Sequence, residues 1–573
     1  MDEDQLQGPG GKGGFAAWIR ANRWPLLFAL LMLLVLPMRD LWAPDEPDFA
    51  QCVREMRERS TWLMPWLNGV PYDEKPILFY WAMKACAVAG DAITGGAGFR
   101  HGIAAWALRL PSVLTSIAFV FALRRWTARF LDLKWADLAV LVLASTPLWF
   151  WQSHFIQIDL MFAALLAWSW LAWLGGYLLL RGHVSVRRPR EARRWFLQAY
   201  LCLGLAFLAK GPLAVVLSLM ILFFFLLWQG DWKAAWQAHT PLGVLVVAAV
   251  VLPWYVAAGL QGGAVYAYAL IIHQNFERAT KAWDHVQPFW AYGKYLGADF
   301  FPWVLLLPAL AFHLAGGEAR KDPRQRFLLL CFALPFLFLS TVQSKQGKYL
   351  LPSYPALALL VAGLLRPLVD AGADAVRTRR LGGVLAAALS LLALIACLVA
   401  FLPLGDAALR AQGAPLLPVV RALGLLLVAG SILAAAAALK ADGRRAVQVT
   451  ALTLGAVYLV GGTWGFRRLD PQKNFFAWTE AVQPLIAGRK VRFWQTIRSG
   501  AMVYTEHRMP EVRDFETLER ELGPEDRLVS MAREWNEDAR GLTPERRARF
   551  EVLLRMPSGG GELLLLKWKD PKP

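Results

Sequence analysis

Asp45, Glu46, Asp48, Asp73, Glu74 and Lys75 fall within thirty-one positions of a chain that is 57% hydrophobic. They belong to the stretch Trp42–Trp81, WAPDEPDFAQCVREMRERSTWLMPWLNGVPYDEKPILFYW, which directly follows an apolar run. A carboxylate can orient a nucleophile or take its proton, and an ammonium can hold an anion. Charges beside a bilayer cost free energy unless they are paired, wet or used, so this cluster is a functional-site hypothesis by default. We read the loop as an active site. Other charged or polar residues interrupt the apolar runs further on: Asp159 in SHFIQIDLMF, Lys210 in LAFLAKGPLA, and His273, Arg278, Lys281, Asp284 and His285 between 259 and 296. Lys345, Lys348 and Tyr349 follow in LSTVQSKQGKYLLPSYP.

The elements that must position these residues are membrane spans. Apolar runs long enough to cross a hydrocarbon core of about 30 Å recur along the chain with basic clusters between them. About thirteen are expected, near 24–41, 104–123, 135–152, 160–180, 195–209, 212–228, 241–258, 298–315, 327–343, 350–365, 382–403, 418–439 and 447–465. Basic clusters follow the even-numbered spans, which places residues 1–23 in the cytoplasm as a tail. The long loops 40–105 and 259–296 then lie outside, together with every charged residue singled out above. Within the first loop, Phe49, Val53 and Met56 at helical spacing predict a helix over 46–59 lying on the membrane surface. Pro76 suits a helix start.

After the transmembrane domain at 24–466 the composition changes. Residues 467–573 carry 20 Lys and Arg against 17 Asp and Glu. KVRFWQ, AMVYT, RLVSM, FEVLLRM and ELLLLKW read as strands of a small extracytoplasmic α/β domain. The fold class is therefore a polytopic α-helical membrane protein with such a domain at its C-terminus. The net charge of +18 is dispersed in short loop clusters, and no basic stripe interleaves with base-stacking aromatics. That composition excludes a nucleic-acid partner and fits a membrane. Five cysteines form no metal motif, and Cys52 and Cys86 are expected as free thiols.

Each candidate also has a plainer reading. Asp159 could cap the helix that begins at Leu160, Lys210 could snorkel to the interface, and Glu74–Lys75 could be a surface ion pair. Asp48 and Asp73 are expected to be solvated. Asp45 and Glu46, being adjacent, point in different directions, so only one of them is expected to be catalytic.

The PDE–REM segment, W-x-x-P-x-x-N-G and EKPILFYW together resemble the first extracytoplasmic loop of the GT-C membrane glycosyltransferases. The nearest branch is that of the aminoarabinose transferases of lipid A modification, related to the protein O-mannosyltransferases. The resemblance implies a GT-C fold and a polyprenyl-phosphate-sugar donor. It casts Asp45 as the catalytic carboxylate and Asp159 as a second carboxylate near the sugar. It gives Lys75, Arg278 and Tyr349 to the donor phosphate, with Glu46 and Lys345 also binding substrate. Glu74 and His273 become candidate ligands of a divalent metal such as zinc, although two ligands do not make a site. No other cofactor is called for. DEPDFAQC and SKQGKYLLP depart from the usual family wording, which leaves the sugar and the acceptor open.

Phosphate oxygens favour Lys and a forked Arg. A sugar already joined to phosphate has a good leaving group, so one carboxylate and a basic clamp suffice. The expected function is transfer of a sugar, with inversion, to a glycolipid of the lipid A type or to a protein. Transfer takes place at the outer face of a bacterial inner membrane. The alternative is a lipid transporter or flippase, which calls for ionisable residues near the bilayer midplane and for broken-helix repeats. The expected spans are nearly free of acidic residues and no repeat is visible.

Overall fold

At the centre of the protein runs the helix Ile158–Arg181, buried along almost its whole length. The computed structural model describes residues 14–95, 104–184, 188–277, 285–370, 372–402, 413–495, 499–537, 541–559 and 561–569. Arg278, Lys281 and Asp284 lie outside these residues. The central helix packs between Ala105–Phe130 and Pro189–Lys210. Adjacent glycines allow the close approach. A Cβ at Gly175 would meet the Phe130 ring at 2.9 Å, and one at Gly176 would meet Phe196 at 2.7 Å. Small residues at such crossings let membrane helices gain packing contacts that lipid does not offer.

Among the described residues, eight helices are long and apolar enough to cross a membrane, or up to eleven if each bent pair forms one span. Two expected straight spans are bent: Leu133–Ala144 turns by 69° into Pro147–Ser153, and Ala291–Asp299 by 110° into Trp303–Ala315. A third bend, of 79°, joins Phe15–Ala21 to Arg23–Val35 just ahead of the first expected span. Pro147 has no N–H to continue the preceding helix, which accounts for the break in the expected span 135–152. Leu213–Gln229 is a shorter apolar helix.

The first long loop folds as a helix, Asp45–Glu58, followed by a two-stranded hairpin, β1 (Trp66–Leu67) and β2 (Val70–Pro71). The turn is Asn68-Gly69, with both φ values positive, as the tightest hairpins require. Glu55, fully buried, accepts the Asn68 and Gly69 N–H groups at 2.6 and 2.8 Å and so ties hairpin to helix. The helix forms where its spacing predicts, but it does not lie with one face in lipid. Ala50, Gln51, Cys52, Val53, Glu55 and Met56 are all buried. A short helix of the C-terminal domain, Ser499–Thr505, covers it.

From Gly443 the chain stays helical through a π-helical turn to Lys473 before the C-terminal sheet begins. Five strands, β3 (Val491–Trp494), β4 (Glu511–Val512), β5 (Arg527–Met531), β6 (Phe550–Ser558) and β7 (Gly561–Trp568), take the order β4-β3-β5-β7-β6. β3 runs parallel to β4 and β5, while β7 is antiparallel to β5 and β6. AMVYT, expected as a strand, is helical and fully buried. A short apolar run carries no periodicity that separates a strand from a buried helical turn.

Candidate active site

The first turn of Asp45–Glu58 brings Asp45 and Glu46 to two different environments. Glu46 is fully buried and bonded on every side. Its oxygens accept from the Arg39 guanidinium, from Arg109 Nε and Nη2 at 3.0 and 2.8 Å, from Trp42 N–H at 2.9 Å and from Ile156 N–H at 3.1 Å. Burial alone would raise its pKa, but Arg109 and Arg39 hold it down to about 2. With its acceptor capacity filled by the protein, Glu46 has no lone pair left for a substrate. It joins the chain before it, the Ala105–Phe130 helix and the turn before Ile158. Sequence reading missed both guanidinium partners. Arg109 stands alone in an apolar run, and such a residue calls for a named partner.

Asp45 points the other way. Its side chain keeps 40% of its surface, against 5% for Asp159. Gln157 Nε2 donates to its Oδ2, and the Lys348 ammonium stands 3.5 Å from the same oxygen. Lys348 also lies 3.8 Å from Asp159 Oδ2. Asp159 is not the cap of its helix, since Gln157 holds that position, and its carboxylate is ion-paired with Lys210 instead. Lys210 does not snorkel. It is largely buried, with its ammonium 4.4 Å from the centroid of the Tyr349 ring and 5.4 Å from that of Phe162. Cations over aromatic faces gain most when desolvated.

Lys75, half-buried at the start of the EKP segment, acts electrostatically on both Asp159 and Asp73. Four separate segments therefore bring Asp45, Lys75, Asp159, Lys210, Lys348 and Tyr349 into one charged cluster. Asp73 is half-buried rather than solvated. Its pKa is raised, first by burial and then by Glu74. Lys345 does not join the cluster. It is buried with its ammonium bonded to the carbonyls of Gln287 (3.0 Å) and Val342, beside a short bridge between Val286 and Ser344. Lys348, three residues on, occupies the site.

Glu74 is exposed and His273 is half-buried in a π-helical segment, Ala269–Glu277. Among the described residues no three His, Cys, Asp or Glu side chains gather as metal ligands would. The pair therefore falls short of a metal site. Cys52 and Cys86 are free thiols, and burial pushes the Cys52 thiol well up.

An apolar groove of about 810 Å³ reaches Gln157 and Lys348, the two residues that hold Asp45. Trp151, Phe155, Leu423, Val457 and Phe466 are part of its apolar lining, and Asp299 and Gln346 part of its polar lining. A Cβ at Gly347 would approach Asp299 Oδ2 to 2.6 Å, so a larger residue there would displace that carboxylate.

Residues 75–256 match the family model described as dolichyl-phosphate-mannose-protein mannosyltransferase, a range that takes in Lys75, Asp159 and Lys210. An undecaprenyl phosphate-alpha-4-amino-4-deoxy-L-arabinose arabinosyl transferase of Pectobacterium carotovorum is 31% identical over 359 residues, 61% of this chain and 59% of that protein. The protein of the same name from Pseudomonas paraeruginosa is 32% identical over 384 residues, 66% of this chain and 65% of that protein. The chain thus matches less than two thirds of the length of these relatives. The crystal structure of ArnT from Cupriavidus metallidurans bound to undecaprenyl phosphate superimposes with a TM-score of 0.73 at 20% identity, covering 96% of this chain and 100% of that one. Its apo form gives 0.73 at 19% identity. By fold the chain is a GT-C-type helical membrane protein with a small C-terminal sheet domain, and by sequence it resembles the aminoarabinose transferases and protein mannosyltransferases.

Proposed function

We propose that the protein is a glycosyltransferase that moves a sugar from a polyprenyl-phosphate-sugar donor to an acceptor at the outer face of a bacterial inner membrane. The acceptor is a lipid A-type glycolipid or a protein, the N-terminus is cytoplasmic and the C-terminus periplasmic. The observation that carries this reading is Asp45. It is an accessible carboxylate held by Gln157 and Lys348, two residues that also line an apolar groove. A lipid chain of a substrate suits the groove, and its polar head would then lie among the cations.

In this scheme the acceptor oxygen attacks the anomeric carbon as Asp45 takes its proton. The bond from that carbon to the phosphate oxygen breaks, and polyprenyl phosphate leaves with the electron pair. Attack from the face opposite the phosphate inverts the anomeric centre. Lys75, Tyr349 and Arg278 are assigned to the departing phosphate, where cations lower the barrier by meeting charge as it develops. Asp159 orders Lys210 and Lys348 and lies on the sugar side. Lys345 and Glu46 are withdrawn from substrate contact, because protein groups already occupy them.

Mass spectrometry of lipid A and of surface glycans from cells with and without the protein tests the proposal. A sugar missing from one of these in cells lacking the protein is expected. Unchanged glycans on both, with an altered distribution of donor lipid between leaflets, would favour a flippase.

A further inference from the structure

Asp470 lies where the helix leaving the last span reaches the C-terminal domain, and it grips the chain just ahead of Asp45. Its Oδ1 accepts the Asp40 N–H at 2.9 Å and the Trp42 indole N–H at 2.7 Å, while its Oδ2 accepts from Asn474 Nδ2 at 3.0 Å. The Tyr504 hydroxyl, on the helix Ser499–Thr505, accepts the Leu41 N–H at 3.2 Å. Three successive residues, 40 to 42, are thus held by two side chains from more than 400 positions away. Trp42 is further fixed by its ring, edge-on to Phe466 at 5.2 Å and 4.4 Å from the Arg39 guanidinium. Its N–H donates to Glu46, which also accepts from Ile156, the residue before Gln157, the partner of Asp45.

We propose that Asp470 and Tyr504 are positioning residues. They fix segment 40–42 and with it the pitch of the helix that carries Asp45, so that the C-terminal domain holds the carboxylate in register with Gln157 and Lys348. The proposal rests on the reading of Asp45 as the proton-accepting carboxylate. The domain also docks further along the loop, where Asn68 Nδ2 donates to the Met509 carbonyl at 2.9 Å and Arg508 pairs with Glu58 at 3.5 Å. Those contacts hold the domain without touching 40–46, and they separate docking from positioning. The chemical demand is steep, since a shift of about 1 Å at a reacting group can cost on the order of 10²-fold in rate.

The test uses the full chain in lipid nanodiscs with undecaprenyl-phosphate-linked aminoarabinose and lipid A. Asp470→Ala, Asp470→Asn, Trp42→Phe and Asn68→Ala are compared for kcat, donor KM and amide hydrogen exchange. Asp470→Ala is expected to lower kcat about 10-fold or more with donor KM within about twofold. The Asp40 amide, which donates to Asp470, should lose protection while those of β3 and β5 keep theirs. Asp470→Asn retains an acceptor oxygen and is expected to restore most of kcat. Trp42→Phe, which removes one donor and keeps a ring, is expected to fall in the same direction should Asp470→Ala not fold. Asn68→Ala is expected to leave kcat unchanged. Wild-type kcat in Asp470→Ala, unchanged exchange at 40–48, or an equal loss in Asn68→Ala would overturn the proposal. If wild type transfers no aminoarabinose to lipid A, that donor–acceptor pair falls, while exchange still decides whether Asp470 fixes the Asp45 helix.

Discussion

The Lys348 ammonium stands 3.5 Å from Asp45 Oδ2 and, on its other side, 3.8 Å from Asp159 Oδ2, so one cation separates two carboxylates. Without it the two negative charges would repel, and Asp45 would keep only Gln157 of the two partners that hold it. Lys348→Met keeps most of the side-chain volume and removes the charge. Transfer is expected to fall by about 10²-fold, the scale for losing one preorganised electrostatic partner at a reacting centre. Lys348→Arg, which keeps the charge in a different shape, should retain part of the rate. Steady-state kinetics on the three proteins checks this.

Lys345 is expected to behave differently, although it lies only three residues away. Its bonds to the Val342 and Gln287 carbonyls brace the segment that leads into the site. Lys345→Ala should cost about 1–3 kcal/mol of stability, the usual penalty for leaving buried acceptors unsatisfied. Donor affinity should stay near that of wild type. Thermal unfolding and donor titration, run side by side, separate the two effects.

Glu46 gives a pH dependence with a definite sign. Its folded pKa, about 2, lies below its ordinary value of 4.5, so its contribution to stability is complete above pH 4.5 and is lost as pH falls towards 2. Glu46→Gln leaves the Arg39 and Arg109 guanidinia buried without a counter-charge, at a cost of about 3–5 kcal/mol near neutral pH. The gap in melting temperature between wild type and Glu46→Gln should therefore be widest at neutral pH and narrow below pH 4.5. A gap independent of pH would contradict the ion-paired state of Glu46.

Much of this was legible in the sequence, and the failures have physical causes. The acidic pair, the EKP segment and the SKQGKY segment are visible because charges beside long apolar runs are costly. Asn68-Gly69 entered only as part of a family-like segment, and its role in closing a hairpin went unread. The sequence does not say which member of a close pair faces the site. Glu46 and Asp45 are chemically alike, and only the folded positions of Arg39 and Arg109 make Glu46 a buried anchor. Lys345 and Lys348 differ by three residues, one in an irregular stretch and the other in the 3₁₀ turn Gly347–Ser353 that follows it, where no periodicity assigns faces. Lys210 looked like an interfacial lysine because its partner Asp159 is 51 positions away. The bend between Ala291–Asp299 and Trp303–Ala315, and the docking of AMVYT as a helix on the Asp45 helix, arise from tertiary packing that local pattern does not encode.

The most direct test of the account is sugar transfer by purified Asp45→Asn in proteoliposomes that contain undecaprenyl-phosphate-linked aminoarabinose and lipid A. The amide keeps the size of the carboxylate and one acceptor oxygen but cannot take a proton. The protein is expected to fold, to bind undecaprenyl phosphate as wild type does, and to transfer sugar about 10²-fold more slowly or worse, the scale for a positioned base. Transfer at the wild-type rate by a folded, donor-binding Asp45→Asn protein would contradict the assignment of Asp45 and the mechanism built on it.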